Sequence, residues 1–261
     1  MAFFEIKGEL KPKKRRLTLF IGTAIVFLIW WLIAEHAGYA KAAIPNPVNM
    51  IKAYPKLLAE NNLMYHAGYS ILLNVLGYVQ AILVSFSLGF LIGLSPTLHT
   101  ILAPYLAAMR YWPIVVLTES MIAMFGIALM MKVQFLSLGI TVYLLPMVVD
   151  RVMSVKDEYL DTAKTFGASK WQQVKTVIFP AVVSEMSIDT LLLVAISWTY
   201  ISYIEMLNQN DGGLGALLFI SSKSSNWDMF WAVFFLIGVI GLTNDRAIKK
   251  LDRIIFPFKY N

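Results

Sequence analysis

Five ionisable side chains interrupt apolar stretches of this 261-residue sequence, and their chemistry needs an explanation. An ion inside a membrane-spanning helix costs at least about 2.5–3.5 kcal/mol, so such groups face a partner, a bundle interior or water. Two interpretations are open: the ions line a polar path, or they pair with one another and hold helices together. The five residues are Arg110, Glu119, Glu185, Asp189 and Glu205.

Arg110 and Glu119 fall within one apolar stretch that we predict to be a single helix. Nine residues at the helical rise separate them by about 13 Å, so they are not partners of one another. We expect Arg110 to pair with Glu185 or Asp189 of a later stretch. The mid-stretch depth of Glu119 favours the lining of a path, whereas Glu205, near the end of its stretch, favours a structural or gating role.

The composition excludes several classes of protein. Hydrophobic residues make up 58% of the chain and charged residues 15%, against about a quarter charged in soluble domains. The absence of cysteine excludes disulfides and thiolate metal sites, and the three histidines are scattered, so we predict no metal site. The net charge of +6 does not indicate nucleic acid, because the bases lie in tails and loops beside apolar stretches.

The apolar stretches predict six membrane helices, since a span needs about 20 apolar residues. The first stretch is longer than the core of a signal peptide, and five more follow it. Glycines at 77, 89 and 93 predict close helix packing, and a short amphipathic helix is predicted at 48–58. The fold class is therefore an all-α membrane protein with spans at 17–34, 70–94, 101–127, 133–149, 181–206 and 229–242.

The distribution of bases predicts the orientation. Six spans place both termini on one side, and that side then holds sixteen of the 22 bases, including five in the polar loop 150–180. By the positive-inside rule both termini and this loop are cytoplasmic. The predicted organisation is a basic tail at 1–16, a transmembrane domain at 17–249 and a second tail at 250–261.

The loop 150–180 has the signals of two short helices joined at a glycine. Ser154 is a predicted cap for the first helix, and Ser169 with Gln172 forms a predicted capping box for the second. Ala163 and Gly167 are four residues apart and would share a helix face that is almost free of side chains. Such a loop is either a rigid docking surface or an ordinary helical connection, and the pattern alone leaves both open.

The spacing in this loop resembles the EAA loop of ABC importer permeases, whose pattern is E-A-A-x3-G-x9-I-x-L-P. This chain has Asp161-Thr162-Ala163, three residues, Gly167, nine residues, Val177, one residue and Phe179-Pro180. In that family the loop forms coupling helices that sit in a groove of the ATPase subunit. The resemblance implies ATPase-coupling roles for Asp161, Thr162, Ala163, Gly167, Ala168, Val177 and Pro180.

More of the chain, from about residue 17 to 258, is similar to the nitrate, sulfonate, taurine and bicarbonate type of these permeases. The resemblance implies a type I importer permease fold with two permease copies, two ATPase subunits and an external binding protein. It also implies a translocation path, for which we predict Arg110, Glu119, Asp189 and Glu205. The segments that carry it are Ile44-Pro45-Asn46-Pro47, Ser70 with the glycines of its span, Arg110-Tyr111-Trp112-Pro113, Phe125-Gly126, and Trp198 to Glu205 with Gly213-Leu214-Gly215.

One departure bears on the solute. That type of permease has Gly-Leu-Arg in its fifth span, where this chain has Ile188-Asp189-Thr190. A base is replaced by an acid, and Glu119 and Glu185 add further acids. The pattern favours a cationic, zwitterionic or neutral organic solute over nitrate or sulfonate.

Other functions fit less well. A membrane enzyme would need clustered catalytic carboxylates or histidines, and a secondary transporter would show paired broken helices. A membrane assembly protein would not need the coupling-loop spacing. The chain has no G-x-x-x-x-G-K-[ST] sequence, so we expect it to be no enzyme and to bind no cofactor, with ATP and Mg²⁺ on a partner ATPase. The expected location is the bacterial inner membrane, with lipid and no nucleic acid as partners.

Overall fold

The fold is all-helical over the part of the chain that the structure describes. A computed structural model describes residues 10–36 and 43–260, with the backbone alone at Ile188, so residues 1–9 of the predicted basic tail lie outside it. Within these ranges the helices are α1 (Pro12–His36), α2 (Pro47–Ala59), α3 (Leu63–Gly93), α4 (Pro96–Met109), α5 (Thr118–Phe125), α6 (Leu129–Met153), α7 (Asp157–Thr165), α8 (Lys170–Gln173), α9 (Phe179–Leu207), α10 (Leu214–Lys223) and α11 (Trp227–Ile255). Short 3₁₀-helices lie at Ile114–Leu117 and Pro257–Lys259, and a π-helix lies at Val174–Ile178.

Five helices among the described residues are long and apolar enough to cross a membrane: α1, α3, α6, α9 and α11. A sixth candidate consists of α4 and the segment Ile114–Phe125, which pass the same test together but are bent by 94°. The prediction of an all-helical multi-pass protein is therefore confirmed, with five spans, or six where the bent pair counts as one.

The predicted third span at 101–127 is wrong as a continuous helix. α4 ends at Met109, with Arg110 at its C-cap, and the chain restarts as a 3₁₀-helix after Pro113. Proline lacks a backbone N–H and disfavours helical geometry in the residue before it, so the helix ends ahead of it. Arg110 and Glu119 consequently lie on different helices, since Glu119 is in the first turn of α5.

The other helices extend past the predicted spans. α3 begins at Leu63, seven residues before its predicted start, and α11 continues to Ile255. About 20 residues cross the hydrocarbon core, so the additional turns lie in the polar regions, where hydropathy no longer marks a helix. The short helix predicted at 48–58 is confirmed as α2, and the Asn46 side chain accepts a hydrogen bond from Val48 N at 2.9 Å.

The chain divides into two compact units. The first comprises the chain up to Asn61 with Ile220–Ala232, and the second comprises Asn62–Phe219 with the chain from Val233 onward. Within the first unit, Tyr54 Oη donates to Ala232 O and Trp231 Nε1 donates to Ala43 O, both at 2.9 Å. These two bonds join distant parts of the chain, and burial raises the pKa of Tyr54, so its hydroxyl stays a donor.

The core of the second unit is a close contact between α3 and α6. A Cβ built on Gly77 would lie 2.7 Å from Leu136 Cδ2, and one on Gly93 would lie 2.7 Å from Val152 Cγ1. Glycines at these positions let the two backbones approach, as the sequence predicts, because membrane helices gain association energy from close packing.

Side-chain hydrogen bonds join α9 to α3 inside the second unit. Asn74 Nδ2 donates to Ser197 Oγ at 3.0 Å, and Tyr78 Oη donates to Thr190 O at 2.7 Å. Polar side chains paired between helices add to association in an apolar surrounding. The helix that follows the loop 150–180 is thereby held against the bundle.

Candidate functional site

The loop 150–180 folds into the two predicted helices, α7 and α8, joined by a tight turn. Ala168 N donates to Ala163 O at 3.0 Å and Gly167 N donates to Lys164 O at 2.8 Å, the two bonds of a Schellman motif. Gly167 has φ of +77°, a conformation that other residues adopt at a cost. The glycine joint is therefore a backbone requirement of the turn, and space around its Cα is open.

The predicted shared face of Ala163 and Gly167 is wrong, because α7 ends at Thr165 and Gly167 lies beyond its C-cap. The two residues meet instead through the turn that ends the helix. Asp161 on α7 forms an exposed ion pair with Lys164 at 2.8 Å. The hydrogen bond to Asp161 raises the pKa of Lys164, so this lysine stays charged.

The capping predictions have different outcomes. The box at α8 is confirmed: Gln172 N donates to Ser169 Oγ at 3.3 Å, and Ser169 N donates to Gln172 Oε1 at 2.7 Å. The predicted cap at Ser154 is wrong, because its hydroxyl donates back to Arg151 O at the end of α6. Lys156 occupies the N-cap position of α7 without a side-chain hydrogen bond.

Two aromatic side chains of this loop project into solvent, and the sequence analysis did not single them out. Phe166 is 86% exposed and Trp171 is 72% exposed, on either side of the glycine turn. These two rings give the polar loop a small apolar surface beside its turn. The signal in the sequence that could have identified them is the presence of two aromatic residues within a polar stretch.

The loop continues into α9 without a break in helical backbone. α8 is followed directly by the π-helix at Val174–Ile178 and then by Phe179, the first residue of α9. Pro180 was predicted to close the loop ahead of the span, but it lies in the first turn of α9, where a missing N–H is tolerated. Single π-helical turns occur frequently at functional sites. α8, the π-helix and α9 therefore form one continuous helical segment.

Ions near the start of α9 pair with a residue that the sequence analysis did not select. Arg151, near the end of α6, contacts Glu185 at 3.0 Å and Asp189 at 2.8 Å. The expected pairing of these acids with Arg110 is wrong, because Arg110 lies at the end of α4, where it lines a small cavity of about 60 Å³ with Asp150. Arg151 therefore offsets one of the two acids, and the preference for a cationic, zwitterionic or neutral solute stays a prediction.

Glu205 is fully buried near the end of α9 and has specific donors. Ser70 Oγ donates to Glu205 Oε1 at 2.7 Å, and Gly215 N donates to Glu205 Oε2 at 2.8 Å. Ser70 Oγ also accepts from Leu214 N at 2.8 Å. The carboxylate and the hydroxyl together cap the start of α10, so the motif residues around 70, 205 and 213–215 meet in space.

The four predicted path residues occupy four separate places. Asp189 is half-buried beside Arg151, and Glu119 is exposed on α5. Among the described residues, no hydrogen bond or ion pair joins any two of Arg110, Glu119, Asp189 and Glu205. No group of three or more histidine or acidic residues in the described part could hold a metal ion.

Several apolar helices long enough to cross a membrane, joined by an exposed helical loop that leads into one of them, define a multi-pass membrane protein. The sequence matches, over residues 61–256, the family described as "Binding-protein-dependent transport system inner membrane component". The chain belongs to this family of ABC importer permeases, and the resemblance seen in the sequence is confirmed.

Individual relatives agree with this membership. The chain is 25% identical to the taurine transport system permease protein TauC of Escherichia coli, over 95% of this chain and 92% of that protein. It is 22% identical to a putative aliphatic sulfonates transport permease protein, SsuC, of Bacillus subtilis, over 95% and 91%. It is 24% identical to the nitrate import permease protein NrtB of a Synechocystis species, over 91% and 88%.

A solved structure supports the fold. The chain resembles one from the inward-facing MetNI methionine ABC transporter with a TM-score of 0.56 and 18% identity, over 69% of this chain and 93% of that chain. At this identity the likeness shows the fold alone.

Proposed function

We propose that this chain is the permease subunit of an ATP-driven importer, coupled to a separate ATPase pair through the loop 150–180. An external solute-binding protein delivers a small solute, and two copies of the chain form the translocation path. The observation that carries the proposal is the exposed helix pair α7–α8, which has the EAA-like spacing and continues into α9. Membership of a binding-protein-dependent family supports the same assembly.

The coupling step follows from the continuity of the backbone. ATP closes the two ATPase subunits, and the docked loops move with them. Because α8, the π-helix and α9 are consecutive, the start of α9 moves as well. The ATPase binds the two permease conformations with different affinity, and this difference shifts the population between them. This chain binds no cofactor in the proposal, and ATP with Mg²⁺ belongs to the partner.

The remaining assignments are parts of the same proposal. Both termini and the loop 150–180 are cytoplasmic, with 17–249 as the transmembrane domain and the tails at 1–16 and 250–261. Arg110, Glu119 and Asp189 line or border the path, and Glu205 acts in gating or structure through its contact with α10. The location is the inner membrane of a bacterium.

The test is copurification of an ATPase with tagged protein from its native host. Gly167→Trp places a large side chain in the open space at the turn and should abolish copurification. Gly126→Trp is the matched control, because Gly126 also has positive φ, +71°, and open space, but lies outside the loop. The control has the same bulk and a larger backbone strain, because Gly126 combines φ of +71° with ψ of 179°, so retention of the ATPase there would show that bulk and strain alone do not abolish docking.

A second variant removes a contact without adding strain. Phe166→Ala deletes the exposed aromatic side chain and should reduce the recovered ATPase with little change in the melting temperature, since a surface truncation has little effect on folding. If the wild type recovers no ATPase, the importer proposal fails, and uptake driven by an ion gradient becomes the experiment to perform. If Gly167→Trp and Phe166→Ala both retain the ATPase, the loop has no special part in docking.

A further inference from the structure

The segment after α11 forms a buried ionic cluster against α9, and the proposed coupling mechanism does not use this cluster. Lys259 Nζ donates to Asp252 Oδ1 at 2.8 Å and to Ser187 Oγ at 2.6 Å. Ser187 Oγ and Tyr260 Oη each donate to Asp252 as well. We name Ser187, Asp252, Lys259 and Tyr260 the C-terminal clamp.

The charged side chains of the clamp are less exposed to solvent than those of ion pairs on the surface. The side chains of Asp252 and Lys259 are 3% and 15% exposed. A buried carboxylate is tolerated only when its oxygens have donors, and Asp252 has three. The Lys249–Asp245 pair on the same helix is a contrast, since its side chains are 57% and 33% exposed.

Beside the clamp, α9 and α11 stand apart. A groove of about 800 Å³ lies between them, from Asp189 to Trp198 on α9 and from Ile237 to Lys249 on α11. Most of its lining is apolar, and at Gly241 an added Cβ would reach only ordinary van der Waals distance, 3.8 Å, from Trp198 Cδ1. Ser187 precedes the groove on α9 and Asp252 follows it on α11, so the clamp ties the two helices at one end of the groove.

The clamp contacts α9 close to the point where this helix continues from the loop 150–180. Ser187 lies eight residues after Phe179, about 12 Å along the helix that continues from the loop. Along the groove few contacts would carry a displacement of α9 to α11, whereas the clamp joins them through the hydrogen bond from Ser187 to Asp252 and through Lys259, which donates to both side chains. The start of α9, which moves first in the proposed coupling, and Ser187 of the clamp therefore lie on one helical segment.

We propose that the C-terminal clamp makes α11 follow α9 when the ATPase moves the coupling loop, with Lys259 and Asp252 as positioning residues. This inference rests on the proposed coupling to an ATPase. Without the clamp, α9 still responds to nucleotide and α11 does not.

The test uses the chain in complex with its copurified ATPase, and the probe is ATP trapped with vanadate. Because this sequence has no cysteine, an introduced cysteine is the only site in this chain that a thiol-reactive bimane fluorophore can label. Leu192→Cys reports on α9 and Leu242→Cys on α11, since both side chains line the groove and are 72% and 60% exposed. The measurement is the shift in bimane emission on trapping.

Three backgrounds separate coupling from stability. With the clamp intact, both reporters should shift. In the double variant Asp252→Leu/Lys259→Met, which removes the hydrogen bonds to Ser187 without leaving a lone buried charge, the α9 reporter should still shift and the α11 shift should be lost. The matched control Lys249→Met removes the exposed ion pair of α11 and should leave both shifts intact.

Each other outcome is decisive. An α11 reporter that shifts equally in the double variant overturns the clamp proposal, as does one that never shifts while the α9 reporter does. An α9 reporter that is silent in every background contradicts the coupling itself, so failure of the proposed function is distinguished from failure of the clamp. The conservative variant Lys259→Arg keeps the positive charge and should preserve the α11 shift.

Discussion

Glu205 shows how an acidic residue is accommodated inside this helix bundle. Its carboxylate accepts from Ser70 and from the backbone N–H of Gly215, at the start of α10. The N-terminus of a helix carries partial positive charge, which favours an anion there. A Cβ on Gly213 would overlap the carboxylate, so the glycine makes room for it. The acid is therefore a structural anchor between α9 and α10.

Ser70→Ala tests this anchor. The hydroxyl connects the Glu205 carboxylate with Leu214 N, and its removal leaves both buried groups short of a partner. A buried polar group left unsatisfied costs about 1–3 kcal/mol, so we expect a clear fall in the thermal unfolding midpoint of the detergent-purified protein.

Ser85→Ala is the matched control on the same helix. Ser85 is as completely buried as Ser70, but within the described part of the chain its Oγ has no hydrogen-bond partner. Its loss should leave the midpoint unchanged or slightly raised. If the two variants melt alike, the hydroxyl of Ser70 contributes nothing through Glu205 and the anchor is refuted.

At the scale of elements, the α3–α6 contact depends on glycines that leave no room for a methyl group. A Cβ on Gly89 would lie 2.5 Å from Val148 Cγ1. Overpacking a filled contact costs about 1–3 kcal/mol, so Gly89→Ala should lower the midpoint of thermal unfolding. Gly68→Ala, also on α3 but with nothing within 4 Å of its added Cβ, should leave the midpoint equal or higher. Equal losses in both variants would show that the close contact of Gly89 with Val148 does not set the cost.

How well elements could be predicted depended on how local their signals are. The capping box of Ser169 and Gln172 spans four residues, and it formed as predicted. The cap at Ser154 failed because that hydroxyl serves the end of the preceding helix, a competition that a single motif does not reveal. The sequence could not identify Arg151 as the partner of the α9 acids, because only tertiary packing brings the end of α6 to the start of α9.

For the whole molecule, hydropathy predicted the membrane class and the order of the spans, but it could not detect the break between α4 and α5. Both sides of Pro113 are apolar, so a hydropathy window averages across the bend of 94°. Whether this bent pair crosses the membrane decides the side on which the loop 150–180 lies. That question is accessible to experiment because the chain has no native cysteine.

Single cysteines at exposed lysines would map the sides. Lys11 precedes the first span, Lys52 lies on α2 and Lys170 on α8, and all three are exposed. The positive-inside rule with six crossings predicts that a membrane-impermeant maleimide labels intact cells at Lys52→Cys alone. After detergent solubilisation all three should react, which controls for shielding by a bound partner.

The labelling pattern shows whether each predicted crossing of the membrane between residues 11 and 170 occurs. Protection at residues 11 and 170 requires an even number of crossings between them, and therefore that α4 with α5 crosses as one bent span. Labelling at 170 with protection at 11 would mean that the bent pair returns to the side it came from, leaving five crossings. The loop 150–180 would then face away from ATP, and its helix pair could not dock on a cytoplasmic ATPase, whatever its spacing.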